Sequence, residues 1–135
     1  MKKSIACIIC NKGKVLIAHR NPTGQMGSRW EFPGGKVDDG ETEQEAIRRE
    51  MREEFDVDVT VHEKITEGKF CHNGKDFALE AYRVSAAHDG IEKKYKLTEH
   101  TEYKWVDINE IPSENFVDSD LMIYTDVKKY LAKEK

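Results

Sequence analysis

The segment Gly35–Val57 reads GKVDDGETEQEAIRREMREEFDV and carries the chain's most constraining pattern. From Thr42 to Phe55 the apolar residues Ile47, Met51 and Phe55 recur four apart, which on a helix turning about 100° per residue makes one stripe that must be covered. The spacing predicts a helix over 42–55. It is entered through Pro33-Gly34-Gly35, whose two glycines permit unusual backbone angles and let a main-chain oxygen approach an ion. Glu50, Glu53 and Glu54 gather beside Ala46 on the adjoining face, three and four residues apart. Like charges this close repel unless a cation joins them. Hard divalent ions such as Mg²⁺ or Mn²⁺ prefer carboxylate oxygens and keep waters for a phosphate. The competing reading is a solvated face held by i,i+4 pairs. The glycine entry favours the metal site, as do Arg49 directly before Glu50 and Glu41 in the preceding turn, where it can pair back with that arginine.

Around this helix the chain supplies strands. Ser4–Cys10 and Val15–Ala18 are apolar runs joined by Asn11-Lys12-Gly13, which predicts a buried strand pair. Asn21 to Ser28 reads as a loop, and Trp30 to Phe32 as a short strand ending at Pro33. Val57 to Ile65 alternates with β-branched residues, and Asn73-Gly74 predicts a hairpin turn between a strand near Gly68–His72 and another near Asp76–Val84. A further strand is expected over Tyr103–Val106. Pro112 precedes an expected loop, and Leu121, Ile123, Tyr124, Val127, Lys128 and Leu131 recur with helical spacing. Strands on both sides of a central helix, with a second helix at the end, predict an α/β (α+β) fold with a mixed sheet packed by helices. A chain of 135 residues suits one domain over 1–135, since at this size roughly two thirds of the unfolded surface is buried.

Composition narrows the partners. The net charge is −4, and Glu41–Glu54 alone holds six glutamates against three arginines. A binder of nucleic-acid polymers needs a basic stripe, which is missing, so no such partner is expected. No apolar run approaches the ~20 residues of a membrane crossing, and Ser4–Cys10 is too short for a signal peptide, so no membrane partner and a cytoplasmic location are expected. Cys7, Cys10 and Cys71 are read as reduced thiols.

The run of Gly35, five residues, Glu41, seven residues, then Arg49-Glu50-Met51-Arg52-Glu53-Glu54-Phe55-Asp56-Val57 resembles the signature of the Nudix hydrolases, which cleave nucleoside diphosphates linked to another group X. The resemblance implies a Nudix-type α/β/α sandwich. It also implies metal ligation by Glu50, Glu53, Glu54 and the Gly34 carbonyl, with Mg²⁺ as the ion and Mn²⁺ able to substitute. Arg49 would orient Glu50, which is also a candidate base, and Glu41 would brace the loop through Arg49. The family has glycine where this chain has Asp56, a residue that tolerates the left-handed backbone needed to end the helix. Bound metals would lower the pKa of water and neutralise the pyrophosphate.

Trp30-Glu31-Phe32-Pro33-Gly34-Gly35-Lys36 further resembles the MutT-type branch of nucleoside triphosphate pyrophosphohydrolases, which includes oxidised-guanine sanitisers and cytidine triphosphate hydrolases. By that resemblance Arg20 and Lys36 would contact phosphate, though Arg20 reads equally as a strand-end charge. Glu102, with Glu99 as the alternate, would complete the metal site; His100 reads as a surface residue. Phe32 and Phe70 are either base-stacking or core. Asp120 lies where the branch reads the base edge, but Asp118, Ser119 or Asp120 would also serve as N-cap of the last helix. A carboxylate there accepts from an exocyclic amine, which guanine and cytosine both carry. The implied reaction is Mg²⁺-dependent hydrolysis of a nucleoside triphosphate, of oxidised dGTP or CTP/dCTP type, to the monophosphate and pyrophosphate, in nucleotide-pool sanitation or housekeeping, by a monomer or homodimer. The alternatives are a nucleotide-sugar or dinucleoside polyphosphate hydrolase and, from another class, a non-catalytic nucleotide-sensing module.

Overall fold

The computed structural model describes residues 2–11, 13–20, 29–86 and 100–133, and only the backbone of Arg20, His72, His100, Thr101 and Glu102. Its strands are β1 (Lys2–Asn11), β2 (Lys14–Arg20), β3 (Trp30–Glu31), β4 (Gly34–Lys36), β5 (Val59–His72), β6 (Lys75–Ala86) and β7 (His100–Asp107). Helix α1 (Glu43–Phe55) lies between β4 and β5, and α2 (Asp118–Lys133) comes after β7 and a 3₁₀ turn over Ile108–Ser113.

The strands form one mixed sheet in the order β3-β2-β1-β6-β5, with β4 added to β1 and β7 to β2. Only β1 and β6 pair in parallel among the described strands. That central pair explains why Ser4–Cys10 is apolar throughout: with helices on both sheet faces, odd and even positions are buried alike. Ile5, Cys7 and Ile9 face α1 with Ile47, Met51 and Phe55, while Ala6 and Ile8 face α2 with Ile123, Val127 and Leu131. The expected sandwich of helices on both sides of a mixed sheet is the fold observed.

Two local expectations change, and a third is refined. Val57–Ile65 and Gly68–His72 are not separate strands: β5 runs unbroken from Val59 to His72, and its register against β6 shifts between Val61 and Lys64 and again between Lys64 and Thr66. Such bulges interrupt a strict alternation without ending the strand. The loop expected after Pro112 is present over 114–117, and Pro112 itself lies inside the 3₁₀ turn that leads into it. Helix α2 already begins at Asp118, so neither Asp118, Ser119 nor Asp120 is its N-cap. No helix among the described residues is long and apolar enough to cross a membrane.

Candidate active site

The site is built where β4 enters α1. Ile5 pairs with Gly35 and Ala6 with Gly34, and the Cys7 amide donates to the Pro33 carbonyl at 2.7 Å. The strands lie so close that a Cβ on Gly34 would stand 2.0 Å from the Ile5 carbonyl oxygen. A Cβ on Gly35 would stand 2.4 Å from Glu50 Oε1 and 2.8 Å from Oε2, so the Glu50 carboxylate occupies the space that the missing side chain leaves. Gly34 is thus required by the neighbouring backbone, and Gly35 by the seat it gives Glu50.

Helix α1 is fixed at both ends. Thr42 is the N-cap of a capping box: its side chain accepts from the Glu45 amide at 3.1 Å, and Glu45 accepts from the Thr42 amide at 2.8 Å. At the other end Asp56 takes the left-handed conformation, φ 52° and ψ 47°, with its amide on the Arg52 carbonyl at 3.0 Å. The substitution for glycine therefore preserves the helix stop.

Arg49 organises the polar face. Its Nε and Nη2 donate to Glu41 at 2.8 and 3.0 Å, Nη1 to Glu50 at 3.0 Å and Glu53 at 3.3 Å, and Nη2 also to the Lys36 carbonyl at 2.9 Å. Asp38 adds its charge 3.5 Å from Nε. Glu41 in turn accepts from the Asp38 amide at 2.9 Å, which closes the loop before the helix. The Arg49 guanidinium holds Glu41 below the ordinary carboxylate range, and Glu41 pushes the Arg49 pKa further up. Cys7 lies beneath, fully buried, its thiol pushed far up by burial and then by the charges of Glu50 and Asp120. No cysteine is in a disulfide.

Glu54 departs from the expected grouping. It is 5% exposed and belongs to the buried face of α1, whereas Glu53 is largely exposed. Seven residues bring the helix back to within about 20° of Ile47, so Glu54 sits in the apolar stripe itself. A carboxylate at a core position was the sharper signal in the sequence. Among the described residues, no three His, Cys, Asp or Glu side chains converge as a ready metal cluster. The donor chemistry nevertheless fits a hard divalent ion: Glu50 lies in the Gly35 cradle, Glu54 is buried behind it, and Glu53 is held by one 3.3 Å bond that it can exchange.

Beside Glu50 opens a cavity of about 360 Å³, bordered by Ser4, Gly35, Lys36, Phe70 and Asp120. Asp120, 5% exposed, accepts the Phe32 amide on Oδ2 at 2.8 Å. Phe32 borders the same space but is 2% exposed, and its ring meets Phe116 edge to face at 5.1 Å. Phe32 is thus packed as a core residue that also borders the cavity. Phe70 is half-buried, stacked on Phe77 at 5.2 Å, and borders the cavity. Lys36 is exposed at the rim. Arg20 ends β2, and Glu102 stands opposite His19 on β7; neither side chain is described, and Glu99 lies outside the described residues.

Residues 1–126 match the family model described as NUDIX domain. A CTP pyrophosphohydrolase of Escherichia coli (strain K12) is 34% identical over 92 residues, 68% of this chain and 68% of that one. An 8-oxo-dGTP diphosphatase of Proteus vulgaris is 50% identical over 56 residues, 41% of this chain and 50% of that one. A MutT protein from Methanosarcina mazei Go1 has a crystal structure that superposes with a TM-score of 0.80 at 22% identity, over 99% of this chain and 95% of that one. At that identity the likeness is one of fold.

Proposed function

The chain belongs to the Nudix family, and we propose that it is a Mg²⁺-dependent enzyme cleaving a nucleoside triphosphate, of oxidised dGTP or CTP/dCTP type, into the monophosphate and pyrophosphate. It is a hydrolase of phosphoric anhydrides, as its relatives are, and the family generally uses divalent metal ions. The observation that carries the finer reading is Arg49 joined at once to Glu41, Glu50 and Glu53 beside a cavity that reaches Asp120.

Glu50, Glu53, Glu54 and the Gly34 carbonyl would hold the metal, with Glu102 as a further ligand. When bound, Mg²⁺ would neutralise phosphate oxygens and make a coordinated water more acidic. Arg49 turns Glu50 toward Gly35, where its carboxylate can take a proton from an attacking water. Lys36 and Arg20 would balance the phosphate charge outside the ion's reach. At the far end of the cavity, Asp120 would accept from the exocyclic amine of cytosine or guanine, with Phe70 offering the base a ring face. The two relatives act, by their names, on CTP and on 8-oxo-dGTP, both of which carry that amine.

The test is a panel of ordinary, oxidised and methylated nucleoside triphosphates with Mg²⁺, ranked by kcat/KM, with products identified by phosphorus NMR. The reading requires pyrophosphate as product and a preference of at least about tenfold for an amine-bearing base over uracil or thymine. Nucleotide binding without any pyrophosphate release would instead indicate a sensing module.

A further inference from the structure

Away from the Arg49 cluster, the start of α1 is gripped by polar side chains from three strands. Glu43, the first residue of the helix, accepts the Tyr82 hydroxyl of β6 at 2.6 Å and Lys3 Nζ of β1 at 3.0 Å. Lys64 Nζ of β5 stands 3.3 Å from Glu43 and 3.0 Å from Glu80 Oε2. Glu80 is 2% exposed, and its Oε2 meets Lys64 as an ion pair without hydrogen-bond geometry. Lys64 therefore bridges a carboxylate sealed in the sheet and one on the helix.

The backbone is irregular where this bridge is made. Residues two apart on a strand ordinarily share a face. Yet Thr66 donates to Asp126 of α2 at 2.8 Å, while Lys64 reaches α1 on the opposite face. The register shift between Lys64 and Thr66 reconciles the two, since one inserted residue reverses the facing of the residues after it. Bulges that re-aim a side chain recur beside active sites.

We propose that this grip on Glu43, with Lys64 at its centre, positions α1 and thereby sets where Glu50 meets Gly35; the proposal rests on the hydrolase reading above. Seven residues of rigid helix carry a displacement at Glu43 to Glu50, about 10 Å along the axis. At the far end the Glu50 carboxylate fills the Gly35 cradle, so a shift of the helix changes that seat.

The experiment compares Lys64→Met with Lys64→Met/Glu80→Gln, reading thermal melting, Mn²⁺ affinity by electron paramagnetic resonance of the full chain, and kcat with KM. Lys64→Met alone strands a buried charge and lowers Tm. The double variant removes that charge, so its Tm returns toward wild type. Its Mn²⁺ affinity and kcat nonetheless stay about 10-fold or more below wild type, with KM moving less. Recovery of Tm, Mn²⁺ affinity and kcat together overturns the proposal, since Lys64 would then only neutralise Glu80. Should the double variant not fold, Tyr82→Phe loosens Glu43 without stranding a charge, and wild-type Mn²⁺ affinity in that variant overturns the proposal equally. A wild-type protein that cleaves no triphosphate, with Mn²⁺ affinity still lost in the variants, sinks the hydrolase reading and leaves the positioning intact.

Discussion

Arg49 and Glu41 are joined by a two-pronged ion pair, Nε to Oε2 at 2.8 Å and Nη2 to Oε1 at 3.0 Å, while the remaining arginine nitrogen reaches Glu50. A planar fork is needed to make these bonds together, and an ammonium cannot reproduce it. Arg49→Lys is accordingly expected to keep the fold and lose about 10- to 100-fold in kcat at saturating Mg²⁺. Circular dichroism and steady-state kinetics on the same preparation check this; unchanged turnover would show that Glu50 needs no holding.

The same pair sets an acid limb in stability. Glu41 is held below its ordinary 4.5 by Arg49, so between the two values the unfolded chain binds more protons than the folded one. The stabilisation is complete above about pH 4.5 and is lost as pH falls through the lowered value. Glu43, raised by burial but more strongly lowered by Tyr82, Lys3 and Lys64, adds a limb of the same sign. Urea midpoints tracked downward from neutral pH should fall less steeply in Glu41→Gln than in the wild type. Parallel curves for the two proteins would contradict the assignment.

The two glycines are expected to fail differently. Alanine at Gly34 drives its Cβ into the Ile5 backbone, which cannot swing aside, at a cost of about 2 kcal/mol or more and a Tm lower by roughly 5–10 °C. Alanine at Gly35 meets only the end of the Glu50 side chain, which can rotate away. Gly35→Ala should therefore melt near wild type and lose turnover. Calorimetry paired with kinetics separates the cases; a stable, fully active Gly35→Ala would remove Glu50 from its proposed place.

Much of this molecule was legible in its sequence, because the features concerned are local. The α1 stripe, the Asn73-Gly74 turn and the tolerance of Asp56 for a left-handed backbone all depend on residues within one or two turns of each other. What was missed depends on register. The pairing of Lys64 with Glu80 requires knowing that residues 59–65 continue the hairpin strand beside β6, and the bulges that aim Lys64 carry no mark in a period-2 pattern. The packing of Phe32 depends in the same way on Phe116, which crosses it from eighty-four residues away. Glu54 is a different kind of miss. Its place in the Ile47 stripe was implicit in helix geometry, but grouping it with Glu50 and Glu53 by charge obscured the burial.

The central claim is that the α1 carboxylates hold a catalytic metal, and Glu53→Gln tests it most directly. Glu53 is largely exposed, so the amide should leave folding intact. The measurement is kcat for pyrophosphate release from the preferred triphosphate, at saturating Mg²⁺ and with the melting temperature recorded alongside. The account predicts a fall of about 100-fold or more with Tm unchanged; full turnover in the folded variant would contradict it.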